Sequence, residues 1–246
     1  MTTSTLGHAA DWPAPQRVRS WQTTRHGGVS QGAYSSLNLA AHVGDDPSAV
    51  ATNRACLTEA LDLPAEPVWL EQIHGSRVQN PDRGDAGPAD AAVSFSAGTV
   101  LVVMTADCLP VLLTTTDGSR IGVAHAGWRG LAGGVLEASV RALDSNPAEI
   151  MAWLGPAISQ PAFEVGDEVR AAFTALDPAA AAAFEPNARG RWQADLYALA
   201  RAALARAGVG AIYGGGACTY GESERYFSHR REAPCGRMAS LIWLEN

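Results

Sequence analysis

Two histidines and one cysteine of this chain have the residue types needed to hold a metal ion. They are His74, Cys108 and His125, and each has alanine or glycine close by in the sequence, which leaves room for a ligand. Two imidazoles and one thiolate form a known zinc set, and three protein ligands with a fourth position open are typical of catalytic zinc. Water bound there can serve as a nucleophile. The residue types alone favour the alternative, namely hydrogen-bonded core histidines and an inert buried cysteine.

A predicted β-hairpin brings two of these residues together. Asp117-Gly118 separates two apolar runs and is a strong hairpin signal. If these two residues form the turn, His125 lies opposite Pro110, and Cys108 falls on the same face as His125 at a diagonal distance of about 7 Å between Cβ atoms. Because Pro110 cannot donate to the ladder, a bulge there would shift this register.

The surrounding pattern predicts a mixed α+β fold, since strands and helices alternate irregularly around that antiparallel hairpin. Asp46 and Pro47 are typical of a helix N-cap and first helical residue, and this helix should end before Pro64. The predicted strands cover 17–23, 68–73, 77–79, 99–105, 109–114, 120–124, 150–154 and 238–244. The other predicted helices cover 131–143, 167–176 and 194–207.

Composition argues for an enzyme-sized domain that binds small molecules. The 246 residues carry a net charge of −7 and no Lys/Arg run, so we expect neither nucleic acid nor a membrane surface as a partner. The first 19 residues lack the apolar segment of a secretory signal, and no apolar run reaches membrane-spanning length. Four irregularly spaced cysteines then predict reduced thiols and a cytoplasmic location.

Seven motifs, spread over nearly the whole chain, carry a resemblance to a known family. In order they read TTRHGGVS, SLNLAAHVGDD, WLEQIHG, MTADCLP, AHAGWRG, LGPAIS and GRMASLIWL. Together they resemble the YfiH family, also called the laccase-domain or polyphenol oxidase family. The resemblance implies one domain over 1–246, of layered αββα type, with zinc bound by His74, Cys108 and His125.

The same resemblance implies an activity. Members of this family are expected to cleave adenosine, inosine and S-methyl-5'-thioadenosine with phosphate, and to deaminate adenosine. Some bacterial members are linked to the editing of peptidoglycan precursors. The expected partners are therefore nucleosides and phosphate, and we expect a monomer.

Phosphorolysis needs a site for the phosphate anion. Arg25, Arg129 and Arg230 lie within or near the resembling motifs, in segments predicted to be loops, and a guanidinium binds phosphate through two parallel hydrogen bonds. Each of them can instead be a solvated surface arginine, and Arg231 competes with Arg230 for the role.

Deamination needs a proton-transferring group near the metal. Asp107 and Glu71 are the candidates, but adjacent strand residues point to opposite faces. Asp107 therefore reaches the Cys108 site only if the backbone leaves strand geometry. The alternative is that its carboxylate caps a turn.

Other candidates are assigned to the substrate. Gln72 shares a face with His74 and is expected to bind substrate or to support that histidine. Asn38 and Ser228 follow from the family motifs only, with loop hydrogen bonding as the alternative. The loops of His26 and His42 suit turns or the wall of a substrate site better than metal binding.

Three other functions stay open from the sequence. A copper phenol oxidase is one, because His2Cys with a nearby methionine such as Met104 is also a copper set, although six histidines without a His-X-His pair cannot build a multicopper site. A metal-free hydrolase with Cys108 as nucleophile and His125 as base is another. A scaffold whose metal only holds the fold is the third.

The chain departs from the family pattern at two positions that bear on the shape of the substrate site. Where many relatives have a cysteine after LGPAI, this chain has Ser159. His229 stands where relatives often have tyrosine.

Overall fold

Two β-sheets lie face to face at the centre of the protein. The structure is a computed structural model that describes residues 3–245, with side chains from Thr5 onward. The strands are β1 (Gly7–Ala9), β2 (Val18–Thr23), β3 (Val68–Trp69), β4 (Val78–Gln79), β5 (Ala91–Ser94), β6 (Val100–Thr105), β7 (Leu109–Thr115), β8 (Ile121–Ala126), β9 (Ile150–Leu154), β10 (Glu164–Val165), β11 (Phe184–Pro186), β12 (Trp192–Ala194), β13 (Ala211–Gly214) and β14 (Met238–Leu244).

The strands form two large sheets and one small one within the described residues. The first has the order β1-β2-β14-β6-β3, the second β13-β9-β7-β8-β5-β4, and the small one β10-β12-β11. The helices are α1 (Thr3–Leu6), α2 (Pro47–Ala60), α3 (Trp128–Ala132), α4 (Val135–Ala142), α5 (Asp167–Leu176), α6 (Leu196–Arg206) and α7 (His229–Glu232).

Alternating side chains of the strands build three apolar layers. Leu101 of β6 packs with Leu112 of β7 between the two large sheets. Val102 of β6 points the other way, toward Leu57 of α2, while Leu113 of β7 faces helices α3 to α6 on the opposite side. Because both faces of these strands are buried, most of their residues are apolar. The mixed α+β fold predicted from the pattern is confirmed, as is the layered αββα arrangement that the family resemblance implies.

The hairpin register predicted from the sequence is also confirmed. Pro110 pairs with His125, and the ladder between β7 and β8 is continuous from Leu109 to Thr114. At the turn, the carboxylate of Asp117 accepts hydrogen bonds from the Thr115 hydroxyl (2.6 Å) and the Ser119 amide (2.9 Å). These bonds fix the turn, so His125 lies where the period-2 argument places it.

Two predicted elements differ from the structure. The helix expected over 131–143 is instead two helices, because Gly133 and Gly134 separate α3 from α4 and Gly134 adopts φ +82°. The strand expected over 68–73 ends at Trp69. The backbone N–H of Ile73 binds a carboxylate instead of a neighbouring strand, and His74 adopts φ +61°, which is incompatible with a strand.

Two crossings of the chain from the first large sheet to the second carry ligand candidates. One joins β3 to β4 through residues 70–77 and contains His74; the other joins β6 to β7 through 106–108 and contains Cys108. Loops between packed sheets commonly hold functional side chains on a rigid scaffold. The metal candidates therefore lie at one edge of the sandwich.

The described residues contain neither a membrane-spanning helix nor a disulfide bond. Within 3–245, no helix has both the length and the apolar character that a bilayer span requires. The thiols of Cys56, Cys108, Cys218 and Cys235 are free.

Candidate metal centre

His74, Cys108 and His125 come together in one group. Their potential ligand atoms all lie within 4.8 Å of one another, and Sγ of Cys108 is 4.0 Å from Nε2 of His74. The two imidazole rings meet edge to face, with centroids 4.8 Å apart. His125 is buried, Cys108 half-buried and His74 exposed, so the group opens to solvent on the His74 side.

The backbone leaves regular geometry at both crossings to bring these side chains together. His74 has φ +61°, and Asp107, directly before Cys108, has φ +91°. Such conformations are uncommon for residues with a side chain and need support from their surroundings. Gly127 supplies the close approach, because a Cβ there would lie 2.9 Å from Sγ of Cys108 and 3.1 Å from Cδ2 of His74.

Asp90 holds two of the three ligands in place. Its fully buried carboxylate accepts a hydrogen bond from Nδ1 of His125 (2.8 Å) and one from the backbone N–H of His74 (2.9 Å). It also accepts from the N–H groups of Ile73 (3.1 Å) and Gly75 (2.7 Å). With Nδ1 occupied as a donor, Nε2 of His125 is left as a lone-pair donor to a metal.

The protonation states of the group suit a metal. Burial raises the pKa of the Cys108 thiol, but the charges and hydrogen bonds of His125 and His74 outweigh it and lower the pKa to about 6. Burial lowers the pKa of His125, yet the neighbouring Cys108 and Asp90 raise it to about 9. Thiolate is the form that binds metals. A divalent cation could take the place of the proton on Nε2 of His125 and bind both the imidazole and the thiolate. The donor set therefore fits a metal ion.

A cavity of about 180 Å³ lies over this group. Besides the three ligand candidates, it is lined by His42, Gln72, Met104, Thr105, Ala106, His229 and Arg237. The lining contains no carboxylate. The cavity therefore combines a potential metal with cationic and neutral hydrogen-bond donors.

Gln72 is the one predicted substrate residue that lines the metal cavity. Its amide nitrogen donates to the carbonyl of Met104 and its amide oxygen accepts from the N–H of the same residue, both at 2.8 Å. The side chain thus takes the place of a neighbouring strand beside β6. This pairing fixes the crossing that carries His74.

Asp107 turns its carboxylate away from the cavity. One oxygen accepts from the hydroxyl of Thr219 (2.7 Å) and the other from the backbone N–H of Arg230 (2.6 Å). Asp107 is not among the residues that line the metal cavity. The backbone does leave strand geometry here, as the sequence argument required, but toward α7.

The three predicted phosphate-binding arginines lie elsewhere. Arg25 is ion-paired with Glu232 (3.0 Å) and lines a neighbouring cavity together with His26. Arg129 is exposed and packs over the ring of Trp128 at 4.4 Å. The prediction that it lies in a loop is wrong, because helix α3 begins at Trp128.

Arg230, also expected in a loop, lies in α7. Its guanidinium donates to the carbonyl of Glu164 (2.9 Å). Ser228 is the N-cap of that helix and accepts from the N–H of Arg231 (3.2 Å). Glu71 is exposed and does not line the metal cavity.

Asn38 is fully buried at the junction of two segments. Its side-chain oxygen accepts from the N–H groups of Ala40 and Arg237, both at 3.0 Å, and its nitrogen donates to Asp45 (2.9 Å). Through these bonds Asn38 ties the loop that leads to His42 to the start of β14.

Sequence reasoning missed Asp90, Gly127 and Arg237. Asp90 had one available signal, a charged residue directly before the short apolar run Ala91-Ala92-Val93. Gly127 follows β8 without a positive φ, so only the close approach of two ligands shows why it is glycine. Arg237 lies far along the chain from all three ligands, and its place in the cavity depends on the packing of β14 against β6.

The sequence of the chain matches a family model. The model is described as multi-copper polyphenol oxidoreductase laccase, and it spans residues 19–245. The chain belongs to this family. Curated relatives from Escherichia coli and Shigella flexneri carry the name YfiH.

Relatives in the YfiH family cover almost the full length of the chain. Purine nucleoside phosphorylase YfiH of Escherichia coli is 52% identical over 235 residues, covering 95% of this chain and 96% of that protein. A purine nucleoside phosphorylase of Pseudomonas aeruginosa is also 52% identical, over 96% of this chain and 97% of its own length.

Solved YfiH-family structures share the fold. A Neisseria meningitidis protein superposes with a TM-score of 0.94 at 52% identity, over 98% of this chain and 100% of that one. YlmD from Geobacillus stearothermophilus gives 0.90 at 31% identity, with the same coverage. The metal centre described above thus lies in a fold common to the family.

Proposed function

We propose that this protein is a zinc-dependent purine nucleoside phosphorylase acting on adenosine, inosine and S-methyl-5'-thioadenosine, with adenosine deaminase activity. One observation carries the proposal: His74, Cys108 and His125 meet at the base of a cavity whose walls carry donors and no carboxylate. The names of relatives 52% identical over nearly the whole chain support the reaction class.

Phosphorolysis exchanges one bond at the sugar for another. An oxygen of phosphate forms a bond to C1' of the ribose, the bond from C1' to N9 of the purine breaks, and its electron pair goes to the base. A proton delivered to the base completes the products, free purine and ribose 1-phosphate, or 5-methylthioribose 1-phosphate from S-methyl-5'-thioadenosine. Zinc, when bound, supplies a positive charge and a Lewis acid at the open coordination position.

Residues of this chain would orient the metal ligands and bind the substrates. Asp90 holds the His125 ring in the tautomer that leaves Nε2 free, and Gln72 fixes the backbone beside His74. Asp107 is proposed to act in proton transfer or in positioning α7, and Arg25, Asn38, Arg129, Ser228 and Arg230 stay proposals for substrate binding. Among them, Asn38 is linked to the cavity through Arg237, from whose backbone N–H it accepts a hydrogen bond.

Deamination of adenosine at the same site is the second activity proposed. Water adds to C6 of the purine, ammonia leaves, and inosine forms. This reaction needs no phosphate. The two activities are therefore separable by the dependence of product formation on phosphate.

The deciding experiment measures base release from adenosine, inosine and S-methyl-5'-thioadenosine with and without phosphate. Wild-type protein with zinc bound is compared with Cys108→Ala, and Cys56→Ala is the matched control for loss of a thiol outside the metal group. We expect phosphate-dependent release of base with wild type and the control, and none with Cys108→Ala. If wild type releases neither base nor inosine, the proposal fails.

A copper redox site is the second candidate, because Met104 lines the same cavity as the His2Cys group. Metal analysis and a visible spectrum of protein purified without added copper separate the two. An intense blue band with bound copper would overturn the zinc assignment.

A metal-free cysteine hydrolase, in which Cys108 is the nucleophile and His125 its base, is tested by alkylation. Free thiolate reacts equally fast with and without zinc, whereas a zinc-bound thiolate is protected.

We further propose one domain over 1–246, acting as a cytoplasmic monomer. The span of the family model, 19–245, supports the single domain. Gel filtration coupled to light scattering measures the oligomeric state.

A further inference from the structure

Arg237 lines the metal cavity, and its guanidinium has no counter-charge among the described residues. Its Nη1 donates to the carbonyls of Cys235 (2.8 Å) and Gly236 (3.1 Å), which fixes the side chain against its own turn. Among the described residues, Nε and Nη2 have no hydrogen-bond partner and no carboxylate is ion-paired with Arg237. By contrast, Arg25 is paired with Glu232.

His42 also lines this cavity and lies close enough to Arg237 to feel its positive charge. Burial, and then the positive charges of Arg237 and Arg54, lower the pKa of His42. Its ring is therefore neutral near pH 7 and can donate a hydrogen bond from one nitrogen. Because Asn38 accepts from the N–H of Arg237 and Leu39 donates to its carbonyl (3.4 Å), the two segments are held together.

The remaining charges around the cavity favour an anion. Asp90 contacts His125, and Asp107 directly precedes Cys108. Both carboxylates already accept hydrogen bonds from donors of the protein. His229, the first residue of α7, adds a further imidazole to the lining. A guanidinium with two free donor positions matches two oxygens of a tetrahedral oxyanion.

We infer that Arg237 and His42, with His229 at the rim, form a phosphate-binding subsite beside the metal. This inference rests on the proposed function, in which the bound ion is the inorganic phosphate that attacks the sugar. It places the phosphate in the metal cavity, which none of Arg25, Arg129 and Arg230 lines. Free phosphate and the phosphate group of a nucleotide carry the same tetrahedral oxyanion and fit the same subsite. The test below distinguishes these two ligands.

Direct binding of inorganic phosphate tests the subsite without turnover. Zinc-loaded wild type, Arg237→Gln, Arg237→Lys and His42→Gln are titrated separately with inorganic phosphate and with AMP by calorimetry. Arg141→Gln, an exposed arginine in the last turn of α4, is the matched control. We expect about 10- to 100-fold weaker binding for Arg237→Gln, as for loss of charge-assisted hydrogen bonds, a smaller loss for Arg237→Lys, and no change for Arg141→Gln.

Several outcomes overturn the inference. Unchanged phosphate affinity in folded Arg237→Gln and His42→Gln does so, as does dependence on Arg237 for AMP but not for phosphate. If Arg237→Gln fails to fold, His42→Gln carries the test, since it changes a different segment. A wild type that releases no base but binds phosphate through Arg237 disproves the proposed reaction and leaves the subsite standing.

Discussion

Asp90 and His125 are joined twice, once through the side chains and once through the backbone. The carboxylate accepts from Nδ1 of the ring at 2.8 Å, and the Asp90 carbonyl accepts from the N–H of His125 at 2.7 Å. Both residues belong to neighbouring antiparallel strands or their immediate ends. The ring is therefore fixed in position, with Nδ1 turned to Asp90, before any ligand arrives.

Asp90→Asn should lower zinc affinity about 10- to 100-fold, the usual effect of losing the carboxylate behind a metal-binding histidine. The amide can no longer accept from Nδ1 and from three backbone N–H groups as a full anion does. Competition with a chromophoric chelator measures the affinity, and the cobalt-substituted spectrum reports ligand geometry. Asp82→Asn is the control, since Asp82 likewise accepts from Ser94 and the Phe95 N–H but lies outside the centre. Equal zinc affinity in both variants contradicts the role assigned to Asp90.

Gly127→Ala should disturb the centre without strain in the backbone. The residue has φ −63° and ψ 158°, which any amino acid adopts, so the cost comes from the new Cβ against Cys108 and His74. We expect weaker zinc binding and a shifted cobalt–thiolate absorption. Gly210→Ala is the matched control, because a Cβ there meets nothing within 4 Å. A normal cobalt spectrum in Gly127→Ala would show that the ligands move aside freely.

Asp107→Asn and Thr219→Val together distinguish a proton-transferring carboxylate from a positioning one. Asp107 binds the Thr219 hydroxyl and the N–H of Arg230, so the geometry predicts that both variants lower kcat to a similar extent by loosening α7. Steady-state kinetics over a range of pH provide the measurement. A far larger loss in Asp107→Asn, with an altered acid limb of the pH profile, assigns proton transfer to the carboxylate.

Asp117→Asn should remove a pH-dependent part of the stability. Hydrogen bonds from Thr115 and Ser119 lower the pKa of Asp117 to about 2, whereas in the unfolded chain it is near its ordinary value of about 3.9. A depressed folded-state pKa stabilises above the unfolded value, and this stabilisation is lost as the pH falls from about 4 to about 2. Urea unfolding at pH 7 and pH 2.5 measures it. The difference between variant and wild type should shrink at pH 2.5; a constant difference contradicts the prediction.

Local patterns in the sequence were enough to predict much of the sandwich. Helix α2 begins at Pro47 behind its Asp46 cap, and the carboxylate does accept from the Ser48 N–H. The hairpin register followed from Asp117-Gly118, because turn chemistry and period-2 alternation are properties of neighbouring residues. These features need no knowledge of the rest of the chain.

The cavity could not be predicted in the same way. A hydrogen bond from Arg237 to Asn38 holds the segment of His42 beside Arg237. Asp107 is hydrogen-bonded to Thr219, which lies 112 positions further along the sequence. Such contacts depend on how β14 and the 38–42 loop pack, which no local spacing encodes. The arginines chosen from motifs were the ones in polar segments, and the sequence does not indicate that Arg25 is already ion-paired.

The two crossings that carry His74 and Cys108 connect the same pair of sheets. A cation held by both of them and by His125 of β8 would cross-link the two sheets and oppose any sliding of one sheet over the other. Addition of zinc should therefore slow hydrogen exchange in β3 and β6. These strands belong to the first sheet, whose strands themselves contain no ligand. Loss of zinc would then loosen the mouth of the cavity before it unfolds the protein.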